Sequence, residues 1–304
     1  MDIEYFVARR KARGYSQVEL SRGICTQSTL SKFENNSQIP SLAILRQLCE
    51  RLDLTLDDLD ERSRATFSLR HQLEMAEEEL MVENYRAVQK ILGPIKIDQV
   101  QNTQLKMQYY YLEGLMATLT NQADTVALFS FTQILDELDE RHETIFSQLA
   151  YLGEGVLYAR KNLMERAQFF IHKVKQYLTV KLKQGDPHPG NVDNARLLTM
   201  MYYLGEYYTL LNQPQESNHY LKLGIERCAH EHVTYFLPRL KLLRAQNALT
   251  VGENPQLVMA ELTDARAFAR LNQNNAVLIQ TTALIKRYRD LLINTAKGEK
   301  DDTD

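Results

Sequence analysis

A small residue followed seven positions later by an asparagine recurs along the chain: Gly114 and Asn121, Gly155 and Asn162, Gly205 and Asn212. Ala245 with Gly252, and Glu77 with Asn84, keep the spacing with substitutions, and successive units are offset by 37, 41, 50 and 40 residues. A fixed period of this length marks helical hairpins that stack, because one hairpin cannot bury its own apolar face. Each small residue lies in a run rich in leucine and tyrosine, such as Y-Y-Y-L-E-G-L or M-Y-Y-L-G-E-Y-Y. There it lets the two helices of a hairpin approach closely, aromatics fill the neighbouring gaps, and the Asn or Gly ends the first helix. The 50-residue interval holds K-Q-G-D-P-H-P-G-N-V-D, residues 183–193, which reads as a loop insertion. Strand signals vanish beyond about Arg62, where amphipathic helices alternate with short polar turns. The expected fold is all-α, with a solenoid over residues 66–294 and a charged, disordered tail over 295–304.

The first 65 residues have a different texture. Ser16 is placed to cap a short helix with Glu19 completing a capping box, Leu20 supplies its apolar contact, and Gly23 ends it. Ile24 plugs the turn. Thr26 then starts a second helix whose inner face is Leu30 and Phe33 and whose outer face is Gln27, Ser28, Thr29 and Lys32. Short hydrogen-bonding groups at the N-terminal end of such a helix suit a major groove. Pro40 and Ser41 open a fourth helix with Leu42, Leu45, Leu48 and Leu52 toward the core, and L-T-L-D-D-L at residues 54–59 makes a short fifth. From Arg9 to Arg46 seven basic residues face two acids, so the local excess coincides with this helix-turn-helix, as phosphate contact requires.

Arg10, the G-Y-S-Q of Gly14 to Gln17, Leu20, the L-S-K-F-E of Leu30 to Glu34, Pro40, Ser41 and the L-D-L-T-L-D-D-L of Leu52 to Leu59 resemble the repressor-type (XRE-like) helix-turn-helix family. One departure is the turn glycine, which that family places nearest Ile24 and which here stands at Gly23. The S-R-G-I-C-T-Q-S-T-L-S-K-F-E form resembles the Rgg/PlcR-type (RRNPP) peptide-responsive regulators of Gram-positive bacteria. The resemblance implies a DNA-binding head on a tetratricopeptide-like sensor domain that binds a short signalling peptide. It also implies that Glu34 pairs with Arg10 and that Gln17 meets a phosphate. Asn35 is a candidate for a similar contact, or a helix C-cap. The DNA-contacting set is therefore Gln17, Thr26, Gln27, Ser28, Thr29, Lys32 and Asn35, facing a double-stranded operator.

With 304 residues and 44% hydrophobic content the chain can bury a small domain and a large one. Its net charge of −3 does not by itself point to nucleic acid. Three cysteines without C-x-x-C spacing suggest unpaired thiols in a reduced cytoplasm, and no apolar run approaches the ~20 residues of a membrane span. The isolated histidines and the H-E-H at residues 230–232 lack ligand spacing, and no phosphate-loop, dinucleotide or nucleophile-elbow motif is present. No enzyme, metal or cofactor is expected.

In the repeats, first helices line the concave face. Tyrosines cluster there, and core packing accounts for many of them. Tyr111, Tyr151, Tyr203, Asn194, Asn247 and Asn275 are the candidates to contact an extended peptide. The expectation is a homodimeric transcriptional regulator whose interface centres on the apolar helices at residues 278–292. The rival readings are a DNA-tethered scaffold whose repeats bind a partner protein, and a constitutive dimer without ligand.

Overall fold

The computed structural model describes residues 3–35, 38–59, 61–184 and 192–301. The described secondary structure is helical, and the chain divides into two units at Gln72/Leu73, seven residues later than the change of sequence texture indicates.

The first unit holds α1 (Ile3–Ala12), α2 (Gln17–Ser21), α3 (Gln27–Glu34) and α4 (Leu42–Arg51). Ser16 caps α2 through the expected reciprocal pair: its hydroxyl accepts from the Glu19 amide, and the Glu19 carboxylate accepts from the Ser16 amide. Gly23 follows in the left-handed region at φ +76, where a side chain would be strained. Phe6, Leu20, Leu30, Phe33, Leu45, Leu48 and Leu52 form the core, with Phe6 and Phe33 edge to face at 5.1 Å. Ile24 packs half-buried against it. Two expectations need correction. Leu42 is 64% exposed, because it is the first residue of α4 and the buried stripe starts at Leu45. The fifth element is a 3-10 turn confined to Asp57–Leu59, since Thr55 donates from both its amide and hydroxyl to Asp58 and closes the segment after one turn.

α5 (Glu61–Met81) crosses the unit boundary. The second unit continues with α6 (Tyr85–Leu92), α7 (Thr103–Leu119), α8 (Asp124–Thr132), α9 (Ile145–Arg160), α10 (Met164–Gln184), α11 (Val192–Leu210), α12 (Pro214–His230), α13 (Leu237–Thr250), α14 (Pro255–Leu271) and α15 (Asn275–Asp301). α7 packs on α8, α9 on α10, α11 on α12 and α13 on α14, while α7, α9, α11, α13 and α15 contact one another in sequence as a layer. The small residues work as the repeat implies. A Cβ on Gly114 would lie 2.6 Å from the Phe131 ring, one on Gly155 2.8 Å from Ile171, and one on Gly205 2.7 Å from Leu221.

Asn121, Asn162, Asn212 and Gly252 all end their helices at positive φ, between 53 and 69°. The residue after each donates its amide five residues back, as in Gln122 to Ala117 and Gln213 to Tyr208, both close to 3 Å. This bond satisfies carbonyls the helix end would otherwise leave open. In the first unit of the repeat the phase slips by one: Glu83 takes the left-handed position at φ 62, and Asn84 instead caps α6 by accepting from Ala87. The loop insertion falls mostly on residues 185–191, outside those described. α15 runs on to Asp301, so the expected disordered tail is helical that far, and residues 302–304 lie outside the described set.

Candidate nucleic-acid interface and concave groove

The head exposes the face expected of a reading helix. Thr26 caps α3 by accepting from the Thr29 amide at 3.1 Å. Leu30 and Phe33 are fully buried, whereas Thr26, Gln27, Ser28 and Lys32 are exposed and Thr29 is half-buried. Asn35 is exposed and serves as the C-cap, its amide reaching the Ser31 carbonyl at 3.0 Å.

Behind that face runs a chain of side chains that begins in the core. Arg10 donates from Nε to Glu34 Oε1 at 2.6 Å and from Nη2 to Oε2 at 2.9 Å, and from Nη1 to the Tyr15 carbonyl at 2.6 Å. Both side chains are under 10% exposed. Gln17 Nε2 donates to Glu34 Oε2 at 2.8 Å, and Gln27 Nε2 donates to Gln17 Oε1 at 2.6 Å. The orientation of both amides follows from the first link. An ionised carboxylate only accepts, so Gln17 must turn its NH2 toward Glu34 and its oxygen toward Gln27. Gln27 must then spend one N–H on Gln17, which leaves its other N–H and its carbonyl oxygen for a partner. That donor–acceptor pair matches N7 and N6 of adenine in a major groove. In this conformation Gln17 is occupied at both ends of its amide, more than a phosphate contact alone requires. Arg51, which sequence reasoning did not single out, clamps the end of α2 by donating from Nη1 to the Leu20 and Arg22 carbonyls at 2.9 and 2.6 Å. Nothing local marks it, because its targets lie about thirty residues earlier.

Five of the six candidates in the repeats are buried, and Asn275 is exposed. Tyr111 and Tyr203 are 2% and 1% exposed, and Tyr203 accepts from Arg239 Nη2 at 3.1 Å. Asn247, 1% exposed, donates to Ser217 Oγ and Asn218 Oδ1 at 2.8 Å each and accepts from Thr209 at 2.9 Å, tying α11, α12 and α13 together. These three pack inside the repeat unit. The sequence places their helices in the inner layer but does not say which way each side chain turns. Tyr151 is also buried, and its hydroxyl meets His142 Nδ1 at 2.6 Å. Asn194 is buried, bonded to Arg227, and lines a cavity of roughly 590 Å³ with Glu74, Glu77 and Glu78. Asn275 is exposed and lines a smaller cavity of roughly 450 Å³ beside Glu83 and Asn84.

The repeat unit also holds buried charges whose pairing the sequence does not reveal. Glu77 accepts from Arg196 Nε and Nη2 at 2.9 and 3.0 Å and from Gln108 Nε2 at 2.8 Å, all buried. A third cavity, roughly 480 Å³, is formed by α9, α11, α13 and α15 with the turn after α5. Leu242, Leu243 and Val277 give it an apolar wall, Thr209, Gln246 and Gln280 a polar one, and Arg160, Glu206, Arg239 and Glu83 its charges. Arg160 pairs with Glu206 at 3.1 Å. Burial works against the Arg239 charge, yet Tyr203, Tyr202 and Glu83 outweigh it and hold the group firmly cationic. The available signal was a charge interrupting an apolar run, as in A-R-L-L-T-M-M and L-P-R-L-K-L-L. Among the described residues no group of His, Cys, Asp or Glu is arranged to hold a metal, and no helix is long and apolar enough to cross a membrane. Burial pushes the Cys49 thiol up to about 11 and that of Cys228 to about 12, so neither is a reactive thiolate.

Residues 8–59 match the model of a helix-turn-helix family, HTH_3. No curated protein sequence matches the chain. Its fold is shared by solved structures, PlcR and ComR among them. PlcR of Bacillus thuringiensis, in complex with the peptide PapR7 and DNA, is 13% identical with a TM-score of 0.59, over 92% of this chain and 98% of that one. ComR of S. thermophilus, in complex with DNA and its signalling peptide ComS, is 13% identical with a TM-score of 0.56, over 93% and 98%. The chain thus carries a helix-turn-helix domain at residues 8–59 and, over more than nine-tenths of its length, has the all-helical fold of PlcR and ComR.

Proposed function

We propose that this chain is a sequence-specific DNA-binding transcriptional regulator whose hold on its operator is set by a short peptide in the groove of the repeat unit. The observation that carries the reading is the chain from Arg10 through Glu34 and Gln17 to Gln27, which fixes a polar side chain on the exposed face of α3. A buried ion pair that orients an outward-facing glutamine has a purpose at an interface that reads base edges. The peptide half rests on the groove, whose mixed apolar and hydrogen-bonding walls suit a short peptide. PlcR and ComR, which share the fold, hold DNA and a signalling peptide in their structures. Residues 1–65 would bind DNA and residues 66–294 would sense the peptide. The protein would act in the cytoplasm without catalysis, metal or cofactor.

The same reading makes it a homodimer, since one reading helix covers too few base pairs for useful specificity. Leu271 and Ile279, 67% and 70% exposed at the end of the stack, support an interface there. Duplexes selected by the full chain from a random library would supply the operator. Gln27→Ala should weaken binding to that operator by ~1–3 kcal/mol while leaving non-specific binding intact. An equal loss on every duplex would remove Gln27 from base reading, and a monomer at micromolar concentration would remove the dimer.

A further inference from the structure

In the second unit two buried arginines of the inner layer, Arg196 and Arg239, each face a glutamate at or just after the end of α5, and the two pairs differ. Arg196 meets Glu77 with two short bonds. Arg239 does not close on its partner: Nε lies 3.7 Å from Glu83 Oε1, beyond hydrogen-bond length, and that buried nitrogen has no hydrogen-bond acceptor. Yet Arg239 is 4% exposed, with its guanidinium carbon 3.8 Å from the Tyr202 ring centroid and Nη2 committed to Tyr203. Stacking and that bond fix the plane of the fork, in the wall of the cavity that Arg239 lines with Glu83, Leu242 and Val277. A buried, unspent N–H on a fixed cation is costly to leave open.

We propose that Arg239 is the anchor for a carboxylate of the groove's ligand, and that Glu83 stands loosely in the place this carboxylate takes. The inference rests on the groove being the peptide site. A guanidinium held planar by an aromatic ring recognises a carboxylate through paired N–H bonds, which neither an amide nor a hydroxyl reproduces. Glu83 sits at a helix end in the left-handed conformation, and its side chain is 17% exposed, so it can withdraw without opening the core. The carboxylate is either the C-terminus of the peptide or an acidic side chain.

One competition experiment separates these cases. Unlabelled heptapeptides of Gly, Leu, Phe, Ser, Thr, Tyr and Asn are mixed in equal amounts as free acids, as C-terminal amides, and as amides carrying one Asp. The full chain is equilibrated with the mixture and retained peptides are counted by mass spectrometry. Free acids or Asp-bearing amides should be retained about tenfold over plain amides, and the class enriched names the source of the carboxylate. Glu83→Gln should raise that ratio, and Arg239→Gln should bring it to one. Should Arg239→Gln fail to fold by circular dichroism, Arg239→Lys, which keeps the charge but not the fork, together with Glu83→Gln, decides the matter. Peptides retained equally in all classes, with no response to these variants, would overturn the carboxylate anchor and leave the groove reading intact. No retention of any class by the wild type or by Glu83→Gln would overturn both.

Discussion

Glu154 on α9 gives the fold a pH dependence of unusual sign. It is 8% exposed, and burial, with the like charge of Asp136 adding, raises its carboxyl from 4.5 to about 7. Below pH 4.5 the group is protonated folded or unfolded and contributes nothing. Between there and about 7 the unfolded chain releases the proton while the folded chain keeps it, so stability falls as pH rises. Above 7 the whole penalty is present. A gap of about 2.5 pH units, at about 1.36 kcal/mol each, amounts to about 3 kcal/mol, which partial solvent access trims to about 2–3 kcal/mol. Glu154→Gln keeps the shape of the protonated acid and removes the charge. Calorimetry on the full chain should therefore show matching melting temperatures near pH 4. At pH 8 the variant should melt higher by about 4–12 °C, given ~2–4 °C per kcal/mol for a unit of this size. Comparing two chains at each pH cancels the titrating groups that do not interact with Glu154. A variant equal to or less stable than wild type at pH 8, or a difference independent of pH, would refute the burial argument.

Glu34→Ala should cost the head about 3–5 kcal/mol by stranding the Arg10 charge, while the melting of the repeat unit stays in place; unchanged proteolysis of the head would count against it. Gly114→Ala should destabilise the repeat unit by about 1–3 kcal/mol, because the new methyl meets the Phe131 ring at 2.6 Å, and an unchanged thermal transition would show that the hairpin has slack.

Local signals in this chain were readable, and distant pairings were not. Ser16, Thr26 and Ser41 cap the helices they precede, because a cap needs only a side chain and an amide two or three residues on. The small-residue period located the close approaches of Gly114, Gly155 and Gly205, since steric room is also decided within a hairpin. It failed by one residue at Glu83, where Asn84 had a competing use as the cap of α6. The groove was harder. Glu77 and Arg196 lie 119 positions apart, and what brings them together is the rotation from one repeat to the next, which no single repeat encodes. Which way Tyr111, Tyr203 and Asn247 turn was not legible, for a polar tip is compatible with either a groove or the bonded, buried place these three take.

The same chemistry organises both candidate sites, with opposite degrees of completion. In the head, Glu34 accepts twice from Arg10 and once from Gln17, and the order this imposes passes outward to Gln27. Every link is made before DNA arrives, so little freedom remains to be lost on binding, which favours discrimination between bases. In the repeat unit, Glu77 is satisfied in the same way by Arg196 and Gln108 and acts as a brace. Arg239 is the exception, braced by Tyr202 and Tyr203 but short of its carboxylate. A saturated ion pair gains nothing from a further ligand, whereas an incomplete one can gain a full charge-assisted bond. A ligand changes a protein only through interactions it makes better in one state than another. The open pair at Arg239 is where such a difference can arise, and the closed pair at Glu77 is the frame against which it acts.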